Sequence, residues 1–175
     1  MVRRGCAEGS ERGIVSGTGD GCFTPDAPVT RGMFAMMLSR LHQSVDGSAV
    51  IDGDADFADV PADAWFAPAV RWAADQRIIA GDNGNFLPND GITREALAAI
   101  LYRYAGGMGY DVSARANLNG FSDTEAVSPY AADAVSWAVS QGILAGSDGS
   151  LQPKSVASRA ETAKMLVAFM DALEI

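Results

Sequence analysis

The sequence predicts an all-α protein built from three tandem helical repeats with pseudo-threefold symmetry around a central three-helix bundle. Two observations carry that expectation. The first is a hydroxyl residue followed by arginine, which recurs as Thr30-Arg31, Thr93-Arg94 and Ser158-Arg159, with starts 63 and 65 residues apart. Near-constant spacing of this kind marks an internal repeat, which has to be settled before any local motif is read. The second is the apolar stripe that follows each pair: Phe34, Met37, Leu38 and Leu41; Leu97, Ile100, Leu101 and Tyr104; Thr162, Met165, Leu166 and Phe169. Spacing of i, i+3, i+4, i+7 gathers each set on one helix face. Three equivalent helices with equivalent stripes can bury them against one another.

The remaining elements align copy by copy. Gly13-Ile14-Val15-Ser16-Gly17 matches Arg77-Ile78-Ile79-Ala80-Gly81 and Gly142-Ile143-Leu144-Ala145-Gly146. A Gly/Asp/Asn turn follows, then an apolar residue with proline two places on: Phe23/Pro25, Phe86/Pro88 and Leu151/Pro153. Thr30, Thr93 and Ser158 are suited to cap the free N–H groups of the helices they precede, and Ser158 with Glu161 reads as a capping box. An earlier, shorter helix is expected around Ala69-Val70-Arg71-Trp72-Ala73 and Ala134-Val135-Ser136-Trp137-Ala138, with Pro68 and Pro129 near its start. Ahead of it stand Phe57-Ala58-Asp59 and Phe121-Ser122-Asp123, and between them an aromatic, Trp65 or Tyr130. Gly81 and Gly146 are expected to end this helix in a left-handed conformation. Copy one lacks the Phe-x-Asp segment, Glu8 falls where the other copies have tryptophan, and the chain reads as beginning inside its first repeat. The units are therefore 1–42 (truncated at its N-terminus), 57–105 and 121–173, joined by linkers 43–56 and 106–120.

Composition bounds the chemistry. With 48% hydrophobic and 20% charged residues the chain is globular. A net charge of -9 argues against duplex nucleic acid and anionic membranes as partners. No apolar run approaches the roughly 20 residues of a membrane span, and the basic start is not followed by the apolar stretch of a signal peptide. One histidine, His42, is expected after a helix end and exposed. It and the two cysteines stand at no metal-ligand spacing, so no metal and no cofactor is expected. A Cys6–Cys22 disulfide stays open. Asp52-Gly53-Asp54-Ala55-Asp56 departs from a calcium loop at its sixth position, Phe57, and its twelfth, Asp63, and reads as an acidic linker.

The ordered series Phe-x-Asp-Val, Ala-Val-x-Trp-Ala, Gly-Ile-x-x-Gly, Phe-x-Pro and Thr-Arg-Glu resembles the S-layer homology repeats, over about residues 13 to 173, and Ser158-Arg159-Ala160-Glu161 is nearest to the family's Thr-Arg-Ala-Glu motif. The resemblance implies a three-pronged all-α module that anchors bacterial surface proteins to a secondary cell-wall polysaccharide, often pyruvylated, through grooves between repeats that use the motif arginine. It implies an extracellular, wall-associated location, and a module fused to or derived from a larger surface protein.

Candidate ligand-binding residues follow. Arg31, Arg94 and Arg159 stand at a helix start, where the dipole and free N–H groups favour an anion and a guanidinium can grip a carboxylate in two places. Their plain alternative is a structural ion pair or solvent. Trp72 and Trp137 either pack in the core or offer a ring face to a sugar; Trp65 and Tyr130 are the more exposed aromatics. Asp59 and Asp123 either accept hydrogen bonds from sugar hydroxyls or cap a turn. In the family, Gly81 and Gly146 would also let backbone approach the ligand.

No catalytic residue is expected: the acids form no evident pair flanking one cleft, as a glycosidase would need, and a single histidine provides no nucleophile–base set. A protein-binding helical scaffold is the second reading, a wall-polysaccharide hydrolase fragment the third. With Gly32-Met33 in its motif and its front half missing, copy one is expected to form the poorest groove, and the Arg94 and Arg159 grooves the better ones.

Overall fold

The computed structural model describes residues 24–47, 53–81 and 83–175. Cys6, Cys22, Glu8, the front half of copy one and Asp52 of the acidic linker lie outside them. The architecture is all-α. Among the described residues five α-helices follow one another: α1 (Arg31–Asp46), α2 (Ala67–Asp75), α3 (Arg94–Gly107), α4 (Ala132–Ser140) and α5 (Arg159–Leu173), with 3-10 turns Thr124–Ala126 and Pro129–Ala131 ahead of α4. Among the described residues no helix is long and apolar enough to cross a membrane.

The long helices α1, α3 and α5 begin alike. The hydroxyls of Thr30, Thr93 and Ser158 accept from the N–H of Met33, Ala96 and Glu161, and the Glu161 side chain completes a capping box on the Ser158 N–H. Each cap satisfies a donor that a helix start leaves without an intrahelical acceptor. The next donors find acceptors in another repeat. The N–H groups of Arg31 and Gly32 donate to Asp90 and Pro88, those of Arg94 and Glu95 to Ser155 and Pro153, and those of Arg159 and Ala160 to Ala27 and Pro25. Each long helix is thus capped by the loop that leads into another long helix.

The residues just before the caps complete the pattern. The Val29 N–H donates to Ala157 at 3.0 Å, the Ala157 N–H to Ile92 at 2.9 Å, and the Ile92 N–H to Val29 at 2.9 Å. The three amides form a closed ring, and all three residues are buried. A buried N–H without an acceptor costs roughly 1–3 kcal/mol, so each repeat meets a need of another.

All twelve stripe residues are buried. The most closely packed helix pairs, however, are α1 with α2 and α3 with α4, each long helix against the short helix that follows it. The long helices meet one another through large side chains: the Tyr104 ring lies 6.0 Å from Phe169, and the Tyr104 hydroxyl is 3.3 Å from His42. His42 therefore sits within α1, stacked 4.9 Å from Trp72, and not exposed beyond a helix end. The sequence places no Gly or Pro after residue 42 until Gly47, and the helix uses that freedom to reach Gly47, its left-handed cap.

The short helices end differently from expectation. The left-handed residues are Arg77 (φ 56°) and Gly142 (φ 70°), after which Ile78 and Ile143 donate back to Ala73 and Ala138. Gly81 and Gly146 do not have positive φ. They are needed for space: a Cβ on Gly81 would lie 2.6 Å from the Asn85 carbonyl and run into the Phe57 ring, and one on Gly146 would lie 2.9 Å from the Ser150 carbonyl and run into Phe121. The aromatic of each Phe-x-Asp segment is thereby seated on a bare backbone.

Candidate functional site

The motif arginines reach across to the next repeat. Arg31 Nε donates to the Phe86 carbonyl at 2.8 Å and an Nη to the Ala80 carbonyl at 3.0 Å, while its charge lies 4.9 Å over the Phe86 ring. Arg94 does the same one repeat later, donating to the Leu151 carbonyl at 3.0 Å and the Ala145 carbonyl at 2.8 Å. The two arginines therefore brace the Gly-Ile-x-x-Gly loop of the following repeat. Burial pushes the Arg31 guanidinium below its ordinary pKa, against the opposing pull of Asp90, Tyr130 and Asp59. Arg159 is buried at its helix start as well, with its N–H on Ala27.

The two braces differ at one atom. The remaining Nη of Arg94 binds the Glu161 carboxylate at 2.9 Å. By repeat alignment the position of Glu161 is held by Ala96 at the Arg31 brace. A groove of about 430 Å³ opens there, lined by Arg31, Gly81, Leu87, Ala96, Arg103 and Tyr130 among others. It lies between copy one and copy two, with Tyr130 of copy three as a wall. For this pair the structure reverses the expected order: Arg31 borders an open groove, and Glu161 covers Arg94.

Asp59 and Asp123 act on the loops. The Asp59 carboxylate accepts from the N–H of Phe86 and of Leu87, both at 2.7 Å. Asp123 accepts from the Ser150 hydroxyl at 2.6 Å and the N–H of Leu151 and Gln152 at 2.8 and 2.7 Å. Leu87 and Gln152 have positive φ, 59° and 52°, so the carboxylates hold a strained turn in place. The Ser150 hydroxyl and then the two amides keep Asp123 below the usual carboxylate range. Burial opposes ionisation of Asp59, but the amides of Phe86 and Leu87 and the charge of Arg31 outweigh it, and its pKa is also lowered.

Trp72 and Trp137 are core residues, 6% and 0% exposed, whereas Trp65 and Tyr130 are 60% and 57% exposed. Trp65 stands edge-on to Phe66 with ring centres 5.2 Å apart. Only Tyr130 of the four lines the groove.

One residue beside the groove has no role in the sequence reading. Glu95, 2% exposed, accepts from the Ser128 N–H at 2.9 Å, the Ser128 hydroxyl at 2.8 Å, the Tyr130 hydroxyl at 3.3 Å and Lys154 Nζ at 2.6 Å. Burial disfavours its charge, but the Lys154 ammonium and the Ser128 donors outweigh it and hold its pKa below the ordinary value. Glu95 so fixes the turn that presents Tyr130. A signal was available: the three copies carry Gly32, Glu95 and Ala160 at this place and Asp26, Asn89 and Lys154 at the partner's, so the one charged residue of the first set meets the one base of the second.

Fold and site together define an all-α repeat module in which Arg31 and Arg94 brace the following repeat, with a groove at Arg31. The chain belongs to the S-layer homology domain family, whose model matches residues 7–35, 56–98 and 120–163. It is 32% identical to an amylopullulanase of Thermoanaerobacterium thermosulfurigenes over 93% of this chain and 8% of that protein. It is 27% identical to the surface-layer 125 kDa protein of Lysinibacillus sphaericus over 79% of this chain and 11% of the relative. It is also 27% identical to the cellulosome-anchoring protein of Acetivibrio thermocellus over 55% of this chain and 22% of the relative. The chain thus spans less than a quarter of each relative's length. Family membership makes it a cell-wall anchoring module associated with the cell surface.

Proposed function

We propose that the module anchors a surface protein by binding an anionic secondary cell-wall polysaccharide, pyruvylated or otherwise carboxylated, in the groove at Arg31. The observation that carries this is the Arg94–Glu161 pair. One arginine in an equivalent brace takes a carboxylate at 2.9 Å on the Nη that its two carbonyl acceptors leave over. At Arg31 the same two acceptors are engaged, and alanine stands where the carboxylate would come from. A ketal carboxylate on a sugar has the charge and planar oxygens to occupy that place.

The other lining residues fit a sugar acid. Arg103 adds a second positive charge, which matters for polymer capture by a chain of net charge -9. Tyr130 and Leu87 offer apolar faces to the pyranose ring. Gly81 serves the site by leaving room for the Phe57 ring behind its loop. Asp59 and Asp123 serve the site by holding the loops and do not themselves bind sugar. Trp72 and Trp137 serve it from the core, and Gly146 keeps the matching loop in shape at Arg94. Trp65, one repeat earlier at the position of Tyr130, is exposed in the same way. In this reading the module is non-catalytic and works at the outer face of a bacterial wall.

The test is co-sedimentation with bacterial cell walls, before and after chemical removal of the secondary polymer. Binding to intact walls that is lost on stripping, and weakened about tenfold or more by Arg31→Ala, is expected; a charge-assisted hydrogen bond of roughly 1.5–3 kcal/mol corresponds to that range. Binding unaffected by stripping would refute the polysaccharide reading, and binding unaffected by Arg31→Ala would refute the site.

A further inference from the structure

The turn at Asn83-Gly84 is the copy-two member of a set of three. At the same repeat position copies one and three carry Asp20-Gly21 and Asp148-Gly149, so copy two alone has a neutral amide there. Asn83 and Gly84 have φ of 48° and 80°, and Asp148 and Gly149 have 51° and 74°. Both pairs make the tight turn that needs positive φ at two successive residues, which Asn-Gly and Asp-Gly supply. Asn83 and Gly84 are exposed, and a Cβ added to Gly84 would meet nothing within 4 Å. The turn is tied into its repeat through a carbonyl: the Ala58 N–H donates to Gly84 at 3.1 Å, as the Ser122 N–H donates to Gly149 at 2.9 Å. Ala58 lies between Phe57, which sits against Gly81, and Asp59, which holds the amides of Phe86 and Leu87. Phe86 in turn supplies a carbonyl to Arg31.

We propose that Asn83 is a site of spontaneous deamidation, and that its isoaspartyl product releases the loop braced by Arg31. Glycine after asparagine leaves the attacking nitrogen unshielded, since it has no side chain. The Gly84 amide nitrogen gives up its proton to solvent base and bonds to the side-chain carbonyl carbon of Asn83. The C–N bond of the side-chain amide breaks, ammonia leaves, and a cyclic imide remains. Water then opens the ring. Addition at the side-chain carbon restores the ordinary backbone, with aspartate in place of asparagine. Addition at the main-chain carbon leaves the chain running through the side chain, one methylene longer, with a free α-carboxylate. The first product is the residue that copy three already carries, in the same turn and with the same bond to its Phe-x-Asp segment, so it leaves the loop intact. The second displaces Gly84 from Ala58 and slackens the hold of Asp59 on Phe86 and Leu87. The chemistry stands by itself; loss of wall binding with age follows from it only through the groove proposed at Arg31. A second Asn-Gly pair, Asn119-Gly120, forms a turn closed locally by the Phe121 N–H on the Leu118 carbonyl at 3.0 Å and serves as the comparison.

The experiment ages the full chain in warm, mildly alkaline buffer and samples it over days. Peptide mass spectrometry of segment 78–94 follows the conversion of Asn83, and methylation by protein isoaspartyl methyltransferase separates isoaspartate from aspartate. Amide hydrogen exchange by NMR reads Phe86 and Leu87. Parent, Asn83→Gln, Asn83→Asp and Asn119→Gln are compared. We expect the parent and Asn119→Gln to accumulate isoaspartate at position 83, and converted chains to exchange these two amides about tenfold faster or more, as loss of a hydrogen bond brings. Repair by the methyltransferase should restore slow exchange. Fresh Asn83→Asp should match the fresh parent, and Asn83→Gln should stay slow throughout. An Asn83 that keeps its amide while Asn119 converts, or isoaspartate at position 83 with Phe86 and Leu87 still protected, would overturn the inference. Wall binding by the same samples separates it from the proposed function: if binding by the parent ignores Arg31→Ala while the converted loop exchanges fast, the groove fails and the deamidation site stands.

Discussion

Gly146→Ala separates two reasons for which a chain keeps glycine. Gly146 is not in the left-handed region, so alanine there meets no intrinsic backbone penalty. Its Cβ would instead lie 2.9 Å from the Ser150 carbonyl and overlap the Phe121 ring. Overpacking of this kind costs roughly 1–3 kcal/mol. For a chain of this size, each kcal/mol lowers the melting temperature by roughly 2–4 °C, so a loss of about 2–12 °C is expected by thermal circular dichroism. Gly142→Ala has the opposite character: φ is 70° and nothing lies within 4 Å of its added Cβ. Its cost, roughly 1–2 kcal/mol, is conformational. Trimming the obstructing ring should distinguish them. In a Phe121→Leu background, Gly146→Ala should cost at least 1 kcal/mol less than in the parent, a coupling readable from a double-mutant cycle. Gly142→Ala should cost the same in both backgrounds. Equal coupling for the two glycines, or none for Gly146, would refute the account of Gly146 as a seat for Phe121.

Three further outcomes follow from charge and burial. Glu95→Ala removes a buried acceptor from Ser128, Tyr130 and Lys154 and should cost about 2–3 kcal/mol in urea unfolding; it should also weaken wall binding, because Tyr130 loses its anchor, although Arg31 is untouched. Asp123 has a folded pKa below its unfolded value of roughly 3.9. Its contribution is therefore present above that value and lost as pH falls toward the depressed one, so Asp123→Asn should be less stable than the parent at pH 7 and lose less stability between pH 4 and pH 2. Tyr104 is pushed up to about 12, by burial first and then by Tyr110 and Asp46. The folded state thus favours the neutral phenol, with stability complete below the unfolded value of roughly 10 and lost as pH rises from 10 to 12; ultraviolet phenolate titration should show a late-ionising component that Tyr104→Phe removes, and Tyr104→Phe should flatten the alkaline loss.

What could be read from the sequence was the part governed by neighbours along the chain. Thr30, Thr93 and Ser158 cap the helices they precede because a cap needs a hydroxyl and the N–H three residues on. The stripes were legible because a 3.6-residue period is a local property. The sequence leaves Trp72 and Trp137 open between core and ligand, and both are buried in the core. The illegible part depends on partners from other repeats. That Arg31 would brace the loop at Ala80 and Phe86, or that Arg94 would meet Glu161, depends on how three copies close on one another. The left-handed residue after each short helix lies four positions before the glycine that the sequence offers for it; Arg77 adopts that conformation without being glycine, while Gly81 is glycine for another reason.

The ring of amides at Val29, Ala157 and Ile92 bears on how such a module fails. In a linear stack, an end unit can be peeled away while the rest stays intact, and stability falls in steps. A ring has no end unit. Removing the segment at Ala157 takes the acceptor from Val29 and the donor from Ile92 together, and it uncaps α3 as well, since the Arg94 and Glu95 amides bind Ser155 and Pro153. Each third is held by the other two, so such an anchor is expected to lose its grip all at once.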